Sequence, residues 1–201
     1  MKNNDKFQEL VSIFRKIEGT SIKQAEQLAY TLLSMKKEDR IDLGNTIMKL
    51  DDYIRLCEKC NMWYEENECP ICNNKDRDHA KVLVVNDYRL VNNFEKTGKY
   101  MGLYFVLHDL VSVNTTNEMR GRDLQRLKEL VRINKVKEVI LAFDANQFGE
   151  INALYVEETL NGSAVKLTRL GKGITTGGLL SSLDISSLEE SLANRKTERK
   201  D

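Results

Sequence analysis

Proline is almost missing from this chain. There is a single one, Pro70, in 201 residues. Element boundaries must therefore be read from glycine, polar clusters and changes of hydrophobic period. Histidine is nearly as scarce, with only His79 and His108. Neither stands at triad or metal-ligand spacing from a partner, so both read as structural or surface residues. Net charge is absent too: 31 basic and 31 acidic residues give a formal charge of +0. A neutral total does not advertise nucleic-acid binding, although it leaves room for a local basic patch. No apolar run approaches the length of a membrane span. The first residues lead into an amphipathic pattern and not into a signal segment. The expected location is the cytoplasm. The hydrophobic fraction, 41%, suffices for a packed core, and the length suits one large domain or two small ones.

Cysteine is also rare, but its four copies are concentrated. Cys57, Cys60, Cys69 and Cys72 have the spacing C-x2-C-x8-C-x2-C. Two such pairs make two tight turns whose thiolates converge on one point, the ligand set of a closed tetrahedral zinc site. Thiolates also suit iron, and two disulfides would serve in an oxidising compartment. No fifth cysteine is left as a nucleophile. Trp63, in the loop between the pairs, is expected to pack over the metal site. Glu65, Glu66 and Glu68 make that loop acidic, and no basic cluster flanks the sulfurs. The knuckle thus reads as a staple between neighbouring parts, not as a reader of nucleic acid.

Before the knuckle the period is helical. Phe7, Leu10, Val11 and Phe14 form one stripe. After a break at Glu18–Ser21, Ser21 can cap a second helix with Ile22, Ala25, Ala29, Leu32 and Leu33 inward. A third helix is expected from Glu38 to Ile54, with Leu43, Ile47, Leu50 and Ile54 inward. After the knuckle, Asn73 to His79 reads as a polar linker, and then the period changes. Short β-branched runs at 81–85, 102–107, 136–143 and 165–170 alternate with helical stretches at 88–97, 122–132 and 149–160. Leu124, Leu127, Leu130 and Val131 are the expected inner face of the second of these. A polar loop is expected at 114–117. Alternation of this kind predicts a parallel sheet with right-handed crossovers. The glycine-dense stretch 171–178 lacks the G-K-[ST] ending of a P-loop and reads as a strand-to-loop connection. A last helix is expected at 186–195, with Leu188 and Leu192 inward, followed by a charged end.

This order of parts resembles the bacterial recombination mediator family RecR over nearly the whole chain. The stretches that carry the resemblance are the knuckle at 57–72, Arg77-Asp78, Gly102-Leu-Tyr-Phe-Val-Leu-His108, and Glu138-Val-Ile-Leu-Ala142. The pairs Gly149-Glu150 and Thr168-Arg169 and the glycines that follow complete the set. The resemblance implies an α+β multidomain protein. Its parts are a helix-hairpin-helix-like region at 1–55, a four-cysteine zinc finger at 56–73, an α/β Toprim domain with a parallel sheet at 80–170, and a C-terminal tail and helix at 171–201 for assembly. It implies structural zinc on Cys57, Cys60, Cys69 and Cys72.

Two departures bear on function. The family hairpin is approximately L-P-G-I-G-P-K-S-A, whereas this chain has Ile17-Glu-Gly-Thr-Ser-Ile-Lys-Gln-Ala25. Gly19, Lys23 and Ala25 match; both prolines and the second glycine do not. Such hairpins bind DNA phosphate through backbone N–H groups and a helix N-terminus. Glu18 opposes that, while Thr20 and Ser21 keep donors available. The implied DNA contacts are Lys23 and Gly19, with Arg15 and Lys16 nearby. Toprim enzymes hold Mg2+ on a glutamate after the first strand and an aspartate pair after a later one. Here the corresponding region offers Asn86, Asp87, Asp144 and Glu150. An amide cannot act as general base, which argues against strand cleavage, though a weakly held Mg2+ remains an option.

The function implied is a non-catalytic DNA-repair accessory. It would act with RecO, and with RecF where present, to help RecA load on gapped or single-stranded DNA. It would bind single- and double-stranded DNA, self-associate as a dimer or tetrameric ring and sit with the nucleoid. No membrane and no small-molecule substrate is expected. The alternatives are a Toprim-type magnesium nuclease or primase-like enzyme, and a zinc-stapled scaffold that has lost DNA binding.

Overall fold

A computed structural model describes residues 5–108, 117–171 and 185–193. The chain divides into two compact units after Ile54.

The first unit holds helices α1 (Asp5–Phe14), α2 (Ile22–Ser34), α3 (Lys37–Met48) and α4 (Leu50–Tyr53). Its core is a seam between α1 and α2. Val11, Ala25 and Ala29 are buried there, with Phe7, Leu10 and Phe14 packed around them. The two alanines leave room for the aromatic rings of α1, and Phe7 also meets the Tyr30 ring at 4.7 Å. The expected third helix is broken at Lys49 into α3 and α4. Its predicted inner residues Leu43, Ile47 and Leu50 are exposed, as are Ile22 and Leu33 on α2. One seam between two helices covers only a narrow stripe on each. Ile22 and Leu33 flank that stripe, and α3 buries nothing.

The second unit begins with a two-stranded antiparallel ribbon, β1 (Arg55–Leu56) and β2 (Trp63–Tyr64). Next come β3 (Asp78–Val85), α5 (Tyr88–Thr97), β4 (Gly102–Val106), α6 (Asn117–Ile133), β5 (Glu138–Ala142), α7 (Gln147–Leu160) and β6 (Lys166–Arg169). The sheet has the order β4-β3-β5-β6, and all three pairings are parallel. The alternation of strand and helix therefore gives the expected α/β sheet. Val82 to Val85 and Leu103 to Val106 are buried, as strands covered on both faces require. Leu124, Leu127, Leu130 and Val131 of α6 close one face, as their spacing predicts. Residues 114–116 of the expected polar loop and 172–178 of the glycine stretch lie outside the described residues, and Asn117 opens α6. The last helix, α8 (Ile185–Ala193), leaves Leu188 and Leu192 exposed among the described residues, against expectation.

The stretch expected as a polar linker is not one. Arg77 keeps only 7% of its side-chain surface and forms an ion pair with Glu95 of α5. It also donates from Nη1 to Glu95 Oε1 and to the Gly102 carbonyl, both at 3.1 Å. Its guanidinium lies 5.7 Å from the Tyr104 ring centre, and the Tyr104 hydroxyl donates to Glu95 Oε1 at 2.7 Å. One arginine thus ties the exit of the knuckle to a helix and to the edge strand β4. Burial raises the Glu95 carboxyl, but the Arg77 and Tyr104 hydrogen bonds outweigh it and hold the group below its ordinary value. A carboxyl depressed in the folded state contributes stability above its unfolded pKa and loses it as pH falls through the folded one. Glu95→Gln should therefore be less stable than wild type at pH 7. The two urea-unfolding curves should converge as pH falls below the ordinary value of 4.5. A difference unchanged across that range would mean that the ion pair contributes nothing.

Candidate metal centre and acidic site

The two knuckles are built alike. In the first, Asn61 N–H donates to the Cys57 carbonyl at 2.9 Å; in the second, Asn73 N–H donates to the Cys69 carbonyl at 3.1 Å. Each turn aims two sulfurs the same way. Asn61 closes the first turn with φ 59°, a conformation that asparagine tolerates better than most residues. The four sulfurs lie within 4.8 Å of one another. Cys57 and Cys72 are 3.9 Å apart, and Cys60 and Cys69 are 3.7 Å apart. A tetrahedral ion with bonds of about 2.3 Å to sulfur has sulfur–sulfur edges of about 3.8 Å. The set therefore fits zinc, and its thiols are free, not paired as disulfides. Cys57 is pulled down by its hydrogen bond with Cys60, and the same contact pushes Cys60 up. A bound dication would favour all four as thiolates.

The knuckle is continuous with the sheet. Cys57, Cys60, Met62, Cys69 and Ile71 belong to the same buried cluster as the strands. Val106 N–H donates to the Cys60 carbonyl at 2.9 Å. Asn61 Nδ2 donates to the Val106 carbonyl at 3.0 Å, and Arg126 Nε of α6 donates to the Glu58 carbonyl at 2.9 Å. The first knuckle thus clamps the carboxyl end of β4. Asp123 stands beside the clamp, 3.7 Å from His108 Nδ1. Burial pushes its carboxyl up, but His108 and Asn61 outweigh that and hold it low. Trp63 does not cover the sulfurs as expected: it is 47% exposed. Period-2 alternation along β2 turns Tyr64 inward instead, and Tyr64 packs against the core. His79, read as structural or surface, has Nε2 3.0 Å from the Asn74 carbonyl oxygen.

Asn86 and Asp87 follow the carboxyl end of β3, Asp144 follows β5 and Glu150 lies in the first turn of α7; Asp87 and Glu150 are each engaged locally. Asp87 caps α5 through the Arg89 N–H at 2.8 Å, and its oxygens accept from Arg89 Nε at 3.0 and 2.7 Å. That hydrogen bonding lowers its pKa. Glu150 Oε2 accepts from Arg169 at 2.6 Å, so two stretches far apart in sequence, 149–150 and 168–169, meet in space. Asp144, Gly149, Glu150 and Arg169 line a cavity of about 120 Å3. Among the described residues only the four cysteines form a group able to hold a metal. Asn86, Asp87, Asp144 and Glu150 form no second one.

The hairpin residues have definite places. Gly19 takes φ 78° with open space around it, so conformation and not crowding requires glycine there. Ser21 caps α2: Gln24 N–H donates to Ser21 Oγ at 3.3 Å, and Ser21 N–H donates to Gln24 Oε1 at 2.8 Å. Thr20 N–H donates to the Ile17 carbonyl at 3.1 Å. The backbone N–H groups of Thr20 and Ser21 are therefore both used within the hairpin. Lys23 stands in the first turn of α2, and Arg15 and Lys16 follow α1; all three are exposed.

A Toprim domain family matches residues 80–171, the segment of the parallel sheet. Over the whole chain, a recombination protein RecR of Bifidobacterium adolescentis is 31% identical across 94% of this chain and 94% of its own length. The chain belongs to the RecR family. RecR proteins of Staphylococcus aureus and Staphylococcus haemolyticus are each 32% identical over 92% of this chain and 94% of their own. Membership in the RecR family supports a role in DNA recombination and repair. Among the described residues no helix is long and apolar enough to cross a membrane.

Proposed function

We propose that the chain is a non-catalytic recombination mediator in the cytoplasm. It acts with RecO, and with RecF where present, to promote RecA loading on gapped DNA, with zinc as its structural metal. The similarity to RecR proteins along 92–94% of the chain carries this reading. The local engagement of the acidic residues favours a mediator over a magnesium enzyme: Asp87 and Glu150 each face an arginine, and Asn86 cannot act as a base. Self-association is supported by the first unit. Ile22, Leu33, Ile47 and Met48 are all more than half exposed there and are the apolar side chains such an assembly would cover.

DNA contact falls to Lys23, Gly19, Arg15 and Lys16. With the Thr20 and Ser21 N–H groups used internally, phosphate would meet the Lys23 ammonium and the first-turn N–H groups of α2. Lys23→Ala should weaken DNA binding at low salt and lower the slope of log affinity against log salt by about 1. An unchanged slope removes Lys23 from the contact. The occupied donors also favour a second reading, a scaffold without DNA affinity of its own. Capture of the host's RecO, with gel shifts on single- and double-stranded DNA in its presence and absence, separates the two. Binding only with RecO supports a mediator that depends on its partner. No RecO capture and no shift under either condition defeats the mediator reading. Magnesium-dependent cleavage abolished by Glu150→Ala would make the chain an enzyme.

A further inference from the structure

The four sulfurs are unequal toward solvent. Cys60 is fully buried, Cys57 and Cys69 retain 6% and 5% of their surface, and Cys72 alone is partly exposed. Cys72 also borders two separate openings. One is a cavity of about 170 Å3 between the knuckle and α6, walled by Leu103, Leu130 and Ile133 with Lys59 and Arg126 alongside. Cys72 is the only one of the four cysteines that lines it. The other is lined by Cys57, Cys69 and Cys72. Cys60 lines neither. A thiolate reacts with an oxidant according to its access. The Cys57 and Cys72 sulfurs are 3.9 Å apart and those of Cys60 and Cys69 3.7 Å apart, with all four within 4.8 Å of one another.

We propose that Cys72 is an oxidant-sensitive site at which a peroxide opens the metal knuckle, with Cys57 as the resolving partner. The proposal rests on the four thiolates holding zinc. The Cys72 thiolate attacks one oxygen of hydrogen peroxide. The O–O bond breaks, hydroxide leaves and the sulfur becomes a sulfenic acid. The Cys57 thiolate then attacks that sulfur, the S–O bond breaks, a second hydroxide leaves and a Cys57–Cys72 disulfide forms. Two electrons pass from the sulfurs to the peroxide. Cys60 and Cys69 remain, too few to close a tetrahedral site, and zinc is released. Lys59 and Glu58 both border the two openings with Cys72, so charge there is mixed and access is what singles out Cys72.

The test uses the purified full chain with its zinc and substoichiometric hydrogen peroxide. Zinc release is followed with a chromophoric chelator, and disulfides are mapped by peptide mass spectrometry. The expected first product is the Cys57–Cys72 disulfide, appearing in step with zinc. In a pulse of isotope-coded iodoacetamide, Cys72 should be alkylated about tenfold faster than Cys60. Cys72→His, which keeps four zinc ligands, should slow peroxide-driven zinc release by about tenfold. A first disulfide between another pair, or equal alkylation of Cys60 and Cys72, overturns the proposal. Both are read on the unsubstituted protein, so they decide whether or not the variant folds. Absence of zinc from the untreated protein would defeat the metal reading instead. The alkylation order would then still show whether Cys72 is the accessible sulfur.

Discussion

Cys60→Ser is expected to lose zinc and to unfold the knuckle together with the end of β4. Cys60 is fully buried, and its carbonyl accepts from Val106 N–H at 2.9 Å. Removing one sulfur leaves three ligands in a site whose binding energy is folding energy. A structural zinc contributes about 10–16 kcal/mol in isolated finger peptides. Here the sheet core shares the load, and a loss on the order of 5 kcal/mol is expected, enough to unfold a domain of ordinary stability at 37 °C. Zinc content by atomic emission and urea unfolding followed by near-ultraviolet circular dichroism measure it. A strong chelator should reproduce the loss in wild type. Glu66→Gln, in the exposed loop between the pairs, should change neither reading by more than about 0.5 kcal/mol. Wild-type stability in zinc-free Cys60→Ser protein would show that the knuckle does not hold the fold.

Gly149→Ala is expected to be the most damaging single-methyl change in the Toprim sheet. A Cβ at Gly149 would fall on the Asp144 carbonyl oxygen, well inside any permitted contact, with the Asp144 carbonyl carbon at 3.0 Å. Both neighbours are backbone and cannot swing aside. The Gly149 N–H also donates to the capping Asn146 Oδ1 at 2.9 Å, so a shift that relieves the clash breaks the start of α7. A cost on the order of 3 kcal/mol is expected. For a unit of this size that lowers Tm by about 6–12 °C. The same shift displaces Asp144 and Glu150, so any partner contact made there should weaken as well. Gly121→Ala is the control. It lies in α6 with nothing within 4 Å of its added Cβ, and it should be neutral or stabilise by up to about 1 kcal/mol. Equal Tm values for the two variants would show that the turn at 144–149 adjusts freely.

The sequence by itself determined the parts whose signal is local. Cysteine spacing placed the four sulfurs, because two residues between ligands leave a turn little choice of geometry. Strand and helix periods placed α5, β3, β4, β5 and α7 to within a few residues, because burial on one or two faces leaves its pattern in the chain. Tertiary structure decided what depends on residues far apart in sequence. Arg77 reads as part of a polar stretch until Glu95, Gly102 and Tyr104 surround it. Leu43, Ile47 and Leu188 read as core until the described chain is seen to leave them uncovered. Asp87 and Glu150 read as a remnant acidic site until Arg89 and Arg169 are found against them. Trp63 faces solvent and Tyr64 the core because a two-residue strand turns alternate side chains to opposite faces. A carboxylate, a lysine or a leucine carries no mark in sequence of whether its partner is a metal, an arginine or solvent. That choice belongs to whatever the fold brings within a few ångströms of it.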